Sequence, residues 1–308
     1  MFDSLQINRV AFSIPIPEFL QRILGTQLDI FWYGILVTLG IIIGVVWAAY
    51  EIDKRGQDVD ELYNGVIIVV FSGYFFARLT YVILDVIDGA QYESLGQVLN
   101  IRAGGVNILG GFIGAFVIGI LYARWRKLWL WHYADVAGPA LLIAQAVGRW
   151  GNFINQELYG QPTELPWGIL IDPQFRLSEY SNLSLFPLET RFHPTFLYEF
   201  LALLVGFILL VWLNNRFRDK WRPGTLLGLF LVWWGGNRAW IEFFRPDQPT
   251  IGNSLITFSM ITAVLIFLAG IWVLLNRFDM LPESALSQRR RRRRTLKPKP
   301  RRNLGSDR

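Results

Sequence analysis

Seven stretches of predominantly apolar sequence dominate this chain, and most are close to the length that a helix needs to cross a lipid bilayer. A helix requires about 20 apolar residues to span a hydrocarbon core of roughly 30 Å. Hydrophobic residues make up 53% of the 308 positions and charged residues only 18%, a balance that is rare in soluble proteins. The pattern predicts an all-α, polytopic membrane protein with about seven transmembrane helices. The segments lie near residues 31–50, 65–87, 107–124, 134–149, 195–213, 225–241 and 255–275.

The chain contains no cysteine, which excludes structural disulfides, cysteine-ligated metal and a thiol nucleophile of its own. If a thiol reacts here, the substrate must supply it. Met1–Gly25 lacks the basic start, the clean apolar core and the small-residue cleavage site of a signal peptide. We therefore expect the first helix to direct membrane insertion.

Basic residues are unevenly distributed among the connections between the apolar segments. Connections 51–64, 125–133 and 214–224 hold two, two and four lysines or arginines, and the tail after Leu275 holds twelve more. The alternate connections hold fewer. Because cytoplasmic loops carry the excess of basic residues, we expect a cytoplasmic C-terminus and an N-terminus outside.

The C-terminal end differs in composition from the rest of the chain. We divide the sequence into a transmembrane domain, residues 1–280, and a basic tail, residues 281–308, that includes the run Arg289–Arg294. The tail is expected to be disordered. It either only sets the orientation or contacts anionic headgroups of membrane lipids, at about 1 kcal/mol per basic residue. Binding to nucleic acid is the weaker alternative, and we expect no nucleic-acid partner.

Polar side chains are concentrated at the segment ends that this orientation places outside. A charged group at membrane depth costs roughly 2.5–3.5 kcal/mol, so Arg149 requires a water-filled cavity, an anionic partner or an interfacial position. Arg149, Asn152 and Gln156 would share one helical face if the fourth helix continued. An arginine fork beside amides suits a phosphate. Further polar groups follow in His193–Glu199 and Asn237–Asp247, and this convergence favours a site at the outer face.

Each of these residues also has an ordinary structural interpretation. A single Arg–Glu pair at a helix end is typical of a structural salt bridge. Tyr33 is a residue type that is common at membrane interfaces, and His193 can serve as an interfacial cap. Only the combination of several such groups at one face favours a functional site.

The segment Gly148–Gly160 reads Gly-Arg-Trp-Gly-Asn-Phe-Ile-Asn-Gln-Glu-Leu-Tyr-Gly. It resembles the defining motif of the prolipoprotein diacylglyceryl transferase family, Gly-Arg-x-Gly-Asn-Phe-x-Asn-x-Glu-x-x-Gly, and matches it at every fixed position. Trp32–Gly34, His193–Glu199 and Glu242–Asp247 also resemble segments of that family.

The resemblance implies a seven-helix enzyme of the bacterial plasma (inner) membrane. Such an enzyme moves the diacylglyceryl group of phosphatidylglycerol onto the lipobox cysteine of a preprolipoprotein signal peptide, which forms a thioether and releases glycerol-1-phosphate. It requires no metal and no cofactor. The absence of cysteine from this chain fits a nucleophile that the substrate supplies.

The resemblance also implies roles for individual residues. Arg149 is expected to bind the lipid phosphate, and Arg238 is expected to be essential for transfer. Glu157, Glu199 and His193 are the candidate bases. Carboxylates beside arginines, such as Glu242 beside Arg238, are better suited to orienting the arginines than to accepting a proton. The residues predicted to act in catalysis are Arg149, Arg238, Glu157 and His193, and those predicted to bind substrate are Arg149, Tyr33, Asn152, Asn155, Gly160, Glu199, Glu242 and Arg245.

One position departs from the family pattern. Members commonly have a histidine in a His-Gly-Gly motif of the third helix, where this chain has Leu109 before Gly110 and Gly111. Leucine cannot accept a proton, so that histidine is dispensable, another group serves, or the chain has lost activity. The thiol needs only modest help, since its ordinary pKa is about 8.5 and nearby arginines favour the thiolate.

Two other functions remain open at this point. A catalytically inactive paralogue would bind lipid or lipoprotein without turnover, and an anion transporter would use Arg149 and Arg238 to hold a permeating anion. Many transporters contain inverted repeats, and the sequence has no convincing internal repeat. Residues 161–192, rich in proline and polar residues, are expected to form a small extracytoplasmic cap.

Overall fold

The computed structural model describes residues 8–19, 21, 26–99, 104–247 and 256–278. Within these ranges the chain is mostly helical, and all seven predicted segments are confirmed as long helices. The fourth segment is longer than expected at both ends. The helices are α1 (Trp32–Lys54), α2 (Val59–Ile87), the short α3 (Leu95–Leu99), α4 (Ile108–Trp125), α5 (Leu130–Ile154), α6 (Thr195–Phe217), α7 (Thr225–Ile241) and α8 (Phe258–Arg277).

The long helices differ in how well they suit a lipid environment. Helices α1, α2, α4, α6 and α8 are long and apolar enough to cross a membrane. Helix α7 has only 17 residues, and α5 contains Asp135 and Arg149. α5 packs against α1, α6 and α7, whereas α7 packs against α5, α6 and α8. Each of these two helices therefore packs against three others, and a membrane protein can place charged side chains at such contacts between helices.

Helices α1 and α5 pack so closely that their backbones are in contact at small residues. A Cβ atom added to Gly40 would lie 2.6 Å from the carbonyl oxygen of Ala144, and one added to Gly44 would lie 2.7 Å from that of Ala140. Such distances leave no space for any side chain, so the two helices meet through glycine and alanine, as is common in membrane bundles. This contact fixes the start of α1 beside the end of α5.

The described residues also contain two small antiparallel sheets, which the sequence pattern did not predict. Strand β1 (Val10–Pro15) pairs with β2 (Gln27–Phe31), and β2 leads directly into α1. Strand β3 (Ile169–Leu170) pairs with β4 (Arg191–Phe192) in the connection between α5 and α6. The all-α class is confirmed, because these strands are short and lie outside the helical bundle.

The connection between α5 and α6 folds around its own core, as the predicted cap requires. Tyr159, Ile171 and Phe192 are buried there with other apolar side chains. The buried guanidinium of Arg176 donates hydrogen bonds to the carbonyl oxygens of Ile171 at 2.9 Å, Phe186 at 2.7 Å and Leu188 at 3.2 Å. A single side chain thus joins Ile171 to the stretch from Phe186 to Leu188. The basic tail predicted for residues 281–308 lies outside the described residues.

Candidate active site

The motif at the end of α5 leaves the helix instead of extending it. The helix ends at Ile154, and Gln156 and Leu158 have positive φ angles of 51° and 56°, so the chain turns sharply. Gln156 therefore does not continue the face that carries Arg149. Its side chain forms two hydrogen bonds with Asp172 of the cap, of 2.9 Å and 2.7 Å. The motif serves both the bundle and the cap.

Glu199 lies between the two arginines that the sequence singles out. One carboxylate oxygen is 2.8 Å from Nη1 of Arg149, and the other is 3.8 Å from Nη1 of Arg238. The Glu199 side chain is 2% exposed, whereas those of Arg149 and Arg238 are 18% and 17% exposed. Helices α5, α6 and α7 thus bring three charged groups to one point, with the two cations on its accessible side.

Arg238 has two further partners. Its Nη2 is 3.3 Å from Glu242, one helical turn later, and its Nε donates a 3.0 Å hydrogen bond to the Ser259 hydroxyl. The Thr257 hydroxyl donates a 2.7 Å hydrogen bond to Glu242. The expected role of Glu242 in holding Arg238 agrees with this geometry. Sequence reasoning missed Thr257 and Ser259, because hydroxyl residues at the start of an apolar helix normally indicate only a helix cap.

Asn152, Asn155 and Glu157 form a second polar group beside Arg149. The Glu157 carboxylate accepts hydrogen bonds from the Asn152 amide at 2.8 Å and from the Asn155 amide at 3.3 Å. Asn152 in turn accepts a 3.4 Å hydrogen bond from Arg149. Glu157 is exposed and is linked to the arginine through an amide. Arg9, which the sequence analysis missed, donates a hydrogen bond to the backbone carbonyl of Asn155.

Gly160 lies where three chain segments meet. Its amide donates a 2.9 Å hydrogen bond to the carbonyl of His193, and the next residue, Gln161, donates one of 3.1 Å to Phe244. A Cβ atom on Gly160 would lie 2.6 Å from Cβ of His193 and 2.8 Å from the Phe244 oxygen. The structure thus places other segments of the protein against this glycine, which sequence reasoning had expected a ligand to approach.

The His193 side chain is part of an aromatic group at the start of α6. Its Nδ1 lies 3.1 Å from the Tyr198 hydroxyl, which accepts a 2.9 Å hydrogen bond from the Trp167 indole. This leaves the Tyr198 hydrogen free to be donated to Nδ1, so the arrangement favours the tautomer with its proton on Nε2. Burial lowers the pKa of the His193 imidazole, which keeps the ring neutral at neutral pH.

Tyr33 and Arg245 lie at the edges of the site. A Cβ atom on Gly151 would be 2.6 Å from the Tyr33 ring, so that glycine makes room for the tyrosine. The Tyr33 hydroxyl interacts electrostatically with Arg149 and Glu157. Arg245 binds Asp247 through Nε at 2.9 Å and Nη2 at 2.6 Å. The Arg245 guanidinium is therefore paired with a carboxylate two residues away.

The remaining predicted position, Leu109, lies in the first turn of α4, and its side chain is 64% exposed. Helix α4 packs chiefly against α2 and has few contacts with α5. Among the described residues, no group of three or more histidine, cysteine, aspartate or glutamate side chains is arranged to hold a metal ion.

The fold and the site together define a multi-pass membrane protein with an arginine-centred site at one end of its helical bundle. Arg149 and Arg238 are positioned to bind an oxyanion with charge-assisted hydrogen bonds, and Glu199 and Glu242 balance their charge. The exposed Glu157 adds a carboxylate that accepts hydrogen bonds from the Asn152 and Asn155 amides. This combination fits a transferase that acts on an anionic lipid.

Comparison with known proteins identifies the family. The family model for prolipoprotein diacylglyceryl transferase matches residues 20–276. A protein of Chloroflexus aggregans named phosphatidylglycerol--prolipoprotein diacylglyceryl transferase is 35% identical over 270 residues, 82% of this chain and 87% of that protein. Proteins of the same name from Halalkalibacterium halodurans and Bacillus cereus are 39% and 34% identical, over 77% and 88% of this chain and 79% and 93% of theirs. The chain belongs to the prolipoprotein diacylglyceryl transferase family, which confirms the resemblance of Gly148–Gly160.

Proposed function

We propose that this protein transfers the diacylglyceryl group of phosphatidylglycerol to the lipobox cysteine thiol of a preprolipoprotein signal peptide. The products are a thioether-linked lipoprotein precursor and glycerol-1-phosphate. The observation that carries the proposal is the convergence of Arg149 and Arg238 on Glu199, in a fold whose relatives bear the name of this activity.

The lipid phosphate binds where the two guanidinium groups converge. A phosphodiester offers both arginines oxygens of the same charge as the Glu199 carboxylate, which already contacts them from the buried side. Because the arginines carry the accessible surface and Glu199 is buried, the phosphate approaches from the side opposite Glu199. Glu199 and Glu242 then keep the arginines oriented and limit the net charge of the site.

The transfer step exchanges one bond for another at the glyceryl carbon. The substrate thiolate attacks the carbon that bears the phosphate oxygen, the carbon–oxygen bond breaks, and the electron pair stays on that oxygen. Glycerol-1-phosphate therefore leaves with an additional negative charge. Arg149 and Arg238 stabilise this charge as it develops, and preorganised donors of this kind are usually the largest catalytic contribution.

Glu157 is the best placed of the three candidate bases to accept the thiol proton. Glu199 is held between two arginines, and the Nδ1 atom of His193 is engaged with Tyr198. Glu157 is exposed and is held by the amides of Asn152 and Asn155. Glu157 then takes the role of the histidine that is common in the family, whose position Leu109 occupies here. His193 instead orients the Tyr198 hydroxyl.

We propose that the site and the cap lie on the extracytoplasmic side of the bacterial plasma (inner) membrane, with the N-terminus outside and the C-terminus cytoplasmic. The distribution of basic residues supports this orientation. Arg55, Arg126 and Arg218 lie at the bundle end opposite Arg149. Residues 1–280 then form the transferase domain, and residues 281–308 form the basic tail at the cytoplasmic surface, where it either only sets the orientation or contacts anionic headgroups.

The experiment is a transfer assay with purified protein in detergent micelles that contain phosphatidylglycerol and a lipobox peptide. Mass spectrometry detects the diacylglyceryl thioether and glycerol phosphate. Arg149→Ala tests the site, and Arg126→Ala, at the other end of the bundle, is the matched control. We expect product from the wild type and from Arg126→Ala but little or none from Arg149→Ala.

Leu109 gives one specific reason to test a second function, an inactive paralogue. A folded wild-type protein that binds phosphatidylglycerol without forming a thioether would support that function and contradict the transferase. Passage of an anion across sealed vesicles, without any product, would instead support a transporter. If the wild type forms no thioether, Leu109→His, which restores the family residue, shows why. Transfer activity in that variant indicates that the wild type lost activity at this position, whereas inactivity of both proteins indicates an unsuitable assay.

A further inference from the structure

The bundle end opposite the candidate active site contains a polar cavity. It lies at the start of α5 and α7 and the end of α6, with Arg55, Asn214, Arg218 and Arg222 among its lining residues. Its volume is about 70 Å³. A single water needs roughly 10–15 Å³ of such a volume, so the cavity is large enough for several waters or one tetrahedral oxyanion.

The carboxylates around this cavity already have partners. Asp135 accepts hydrogen bonds from the backbone amides of Gly224 at 2.8 Å and Leu227 at 2.9 Å, and it is 3.2 Å from Nη1 of Arg55. Glu51 is 3.5 Å from Arg55 and 3.1 Å from Arg218. These two acids hold the helix ends together. These two carboxylates therefore have little remaining capacity to accept hydrogen bonds from other donors, although the Nδ1 atom of His132, which also lines the cavity, has no hydrogen-bond partner among the described residues.

One buried donor at the cavity lacks an acceptor. Asn214 is 2% exposed, and its Oδ1 accepts a 2.8 Å hydrogen bond from Arg55, which fixes the orientation of the amide. Its Nδ2 has no hydrogen-bond partner in the part of the chain that the structure describes. Buried polar atoms are nearly always hydrogen-bonded, so an acceptor from outside the chain belongs at this position.

The charges around the cavity also favour an anion. Arg55, Arg218 and Arg222 line it, whereas Asp135 is the one carboxylate among the lining residues and Glu51 lies just behind. The carboxylate of Asp219, which is 3.7 Å from Arg218, is exposed to solvent. Helix α7 begins at the cavity, and the N-terminus of a helix adds a positive potential.

We propose that this cavity binds a phosphate group. The group belongs either to an anionic lipid headgroup in the leaflet at that face or to a small phosphate compound from the aqueous phase. Arg222 and Arg218 contact it at the mouth, and the amide of Asn214 donates to it from the floor. The proposal does not depend on the transferase function, because the cavity shares no residue with the site of Arg149 and Arg238.

The first test measures phosphate binding in the Arg149→Ala background, which weakens phosphate binding at the other end of the bundle. Equilibrium dialysis with radiolabelled inorganic phosphate is carried out in a neutral detergent. We expect Arg222→Gln to weaken binding about tenfold, because a charge-assisted hydrogen bond is lost. Lys220→Gln is the matched control, since it removes the same charge from the same connection at a residue that does not line the cavity.

A second variant probes the buried amide without removing an exposed charge. Asn214→Asp keeps the oxygen that binds Arg55 and replaces the unpaired donor with an acceptor. It should abolish phosphate binding, and a thermal unfolding curve checks that the variant is folded. Equal weakening by Arg222→Gln and Lys220→Gln, or full binding by folded Asn214→Asp, would overturn the proposal.

The source of the phosphate is determined with lipid bilayers. The same background protein is placed in nanodiscs of phosphatidylcholine with or without phosphatidylglycerol, and retained lipid is counted by native mass spectrometry. Retention of phosphatidylglycerol that Arg222→Gln abolishes identifies a lipid headgroup. Binding of inorganic phosphate alone identifies a soluble compound. Absence of both contradicts the proposal, whereas transfer activity in an Arg222→Gln protein with Arg149 intact reports separately on the transferase.

Discussion

The two ends of the same four helices, α1, α5, α6 and α7, carry polar groups that are organised differently. At one end, Arg149 and Arg238 are partly exposed, and Arg238 is 3.3 Å and 3.8 Å from its carboxylates. At the other end, the Arg55 side chain is 7% exposed and binds three side chains. The first arrangement leaves cations accessible to a substrate, whereas in the second Arg55 holds helices together.

The largest effect should come from removing a cation at the accessible end. Arg149→Ala should lower kcat/KM for transfer by about 10²–10³-fold or more, because an oriented donor to the leaving phosphate is lost. Arg149→Lys should recover little of this loss, since an ammonium group cannot form the paired hydrogen bonds of a guanidinium. Initial rates of thioether formation measure both variants. Full activity in Arg149→Lys would show that charge alone is sufficient.

At the opposite end, the same kind of change should affect stability and not turnover. Arg55→Met leaves the buried carboxylates of Glu51 and Asp135 without one cation, and breaking such a buried pair costs about 3–5 kcal/mol. Thermal unfolding in detergent should therefore show a clear decrease in Tm. Transfer measured well below that temperature should stay near the wild-type rate. A selective loss of activity would contradict the division between the two ends.

We propose that Glu199 has two effects at the accessible end: it holds the arginines, and its negative charge opposes the binding of the phosphate. Glu199→Gln should lower KM for phosphatidylglycerol about three- to tenfold because the competing charge is removed. It should also lower kcat about tenfold, since the arginines lose their orientation. Glu242→Gln leaves the competing carboxylate in place and should not lower KM. Equal effects of both variants on KM would contradict this role for Glu199.

A smaller effect is expected where α1 meets α5. Gly151→Ala places a methyl group against the Tyr33 ring, and such overpacking costs roughly 1–3 kcal/mol unless the ring shifts. Gly34→Ala is the matched control, because no atom lies within 4 Å of its added Cβ. Thermal unfolding and the KM for lipid should change only for Gly151→Ala. Similar changes in both variants would indicate a general effect of glycine replacement.

The smallest effect is a pH dependence from His193. Burial lowers the pKa of this histidine in the folded protein, whereas an unfolded histidine titrates at about 6.5. Below pH 6.5 the unfolded chain therefore binds a proton before the folded chain does. The contribution of the neutral His193 side chain to the free energy of unfolding is fully present above pH 6.5. It decreases as the pH falls toward the lower pKa of the folded protein. In this pH range, Tm should depend less on pH in His193→Gln than in the wild type. Equal pH dependence of Tm in the two proteins would contradict this role for His193.

The sequence predicted the helices well because length and apolar content directly determine membrane crossing. It also placed Arg149, Glu199 and Arg238 at one face, since alternating crossings bring every second helix end to the same side. It could not predict the exit of Gln156 toward Asp172, because that depends on two positive φ angles after α5. Nor did it indicate that Arg9 reaches Asn155, a contact that depends on the fold of the N-terminal hairpin.

The glycine contact between α1 and α5 also limits how a membrane-borne substrate can reach the arginines. Two helices whose backbones touch at Gly40 and Gly44 cannot separate without breaking many contacts at once, so this seam cannot act as a moving gate. Helices α2 and α4, in contrast, pack chiefly against each other and only lightly against α1 and α5. We expect lateral entry of a lipid from the bilayer on the side of α2 and α4, where Leu109 presents an apolar surface to the passing acyl chains.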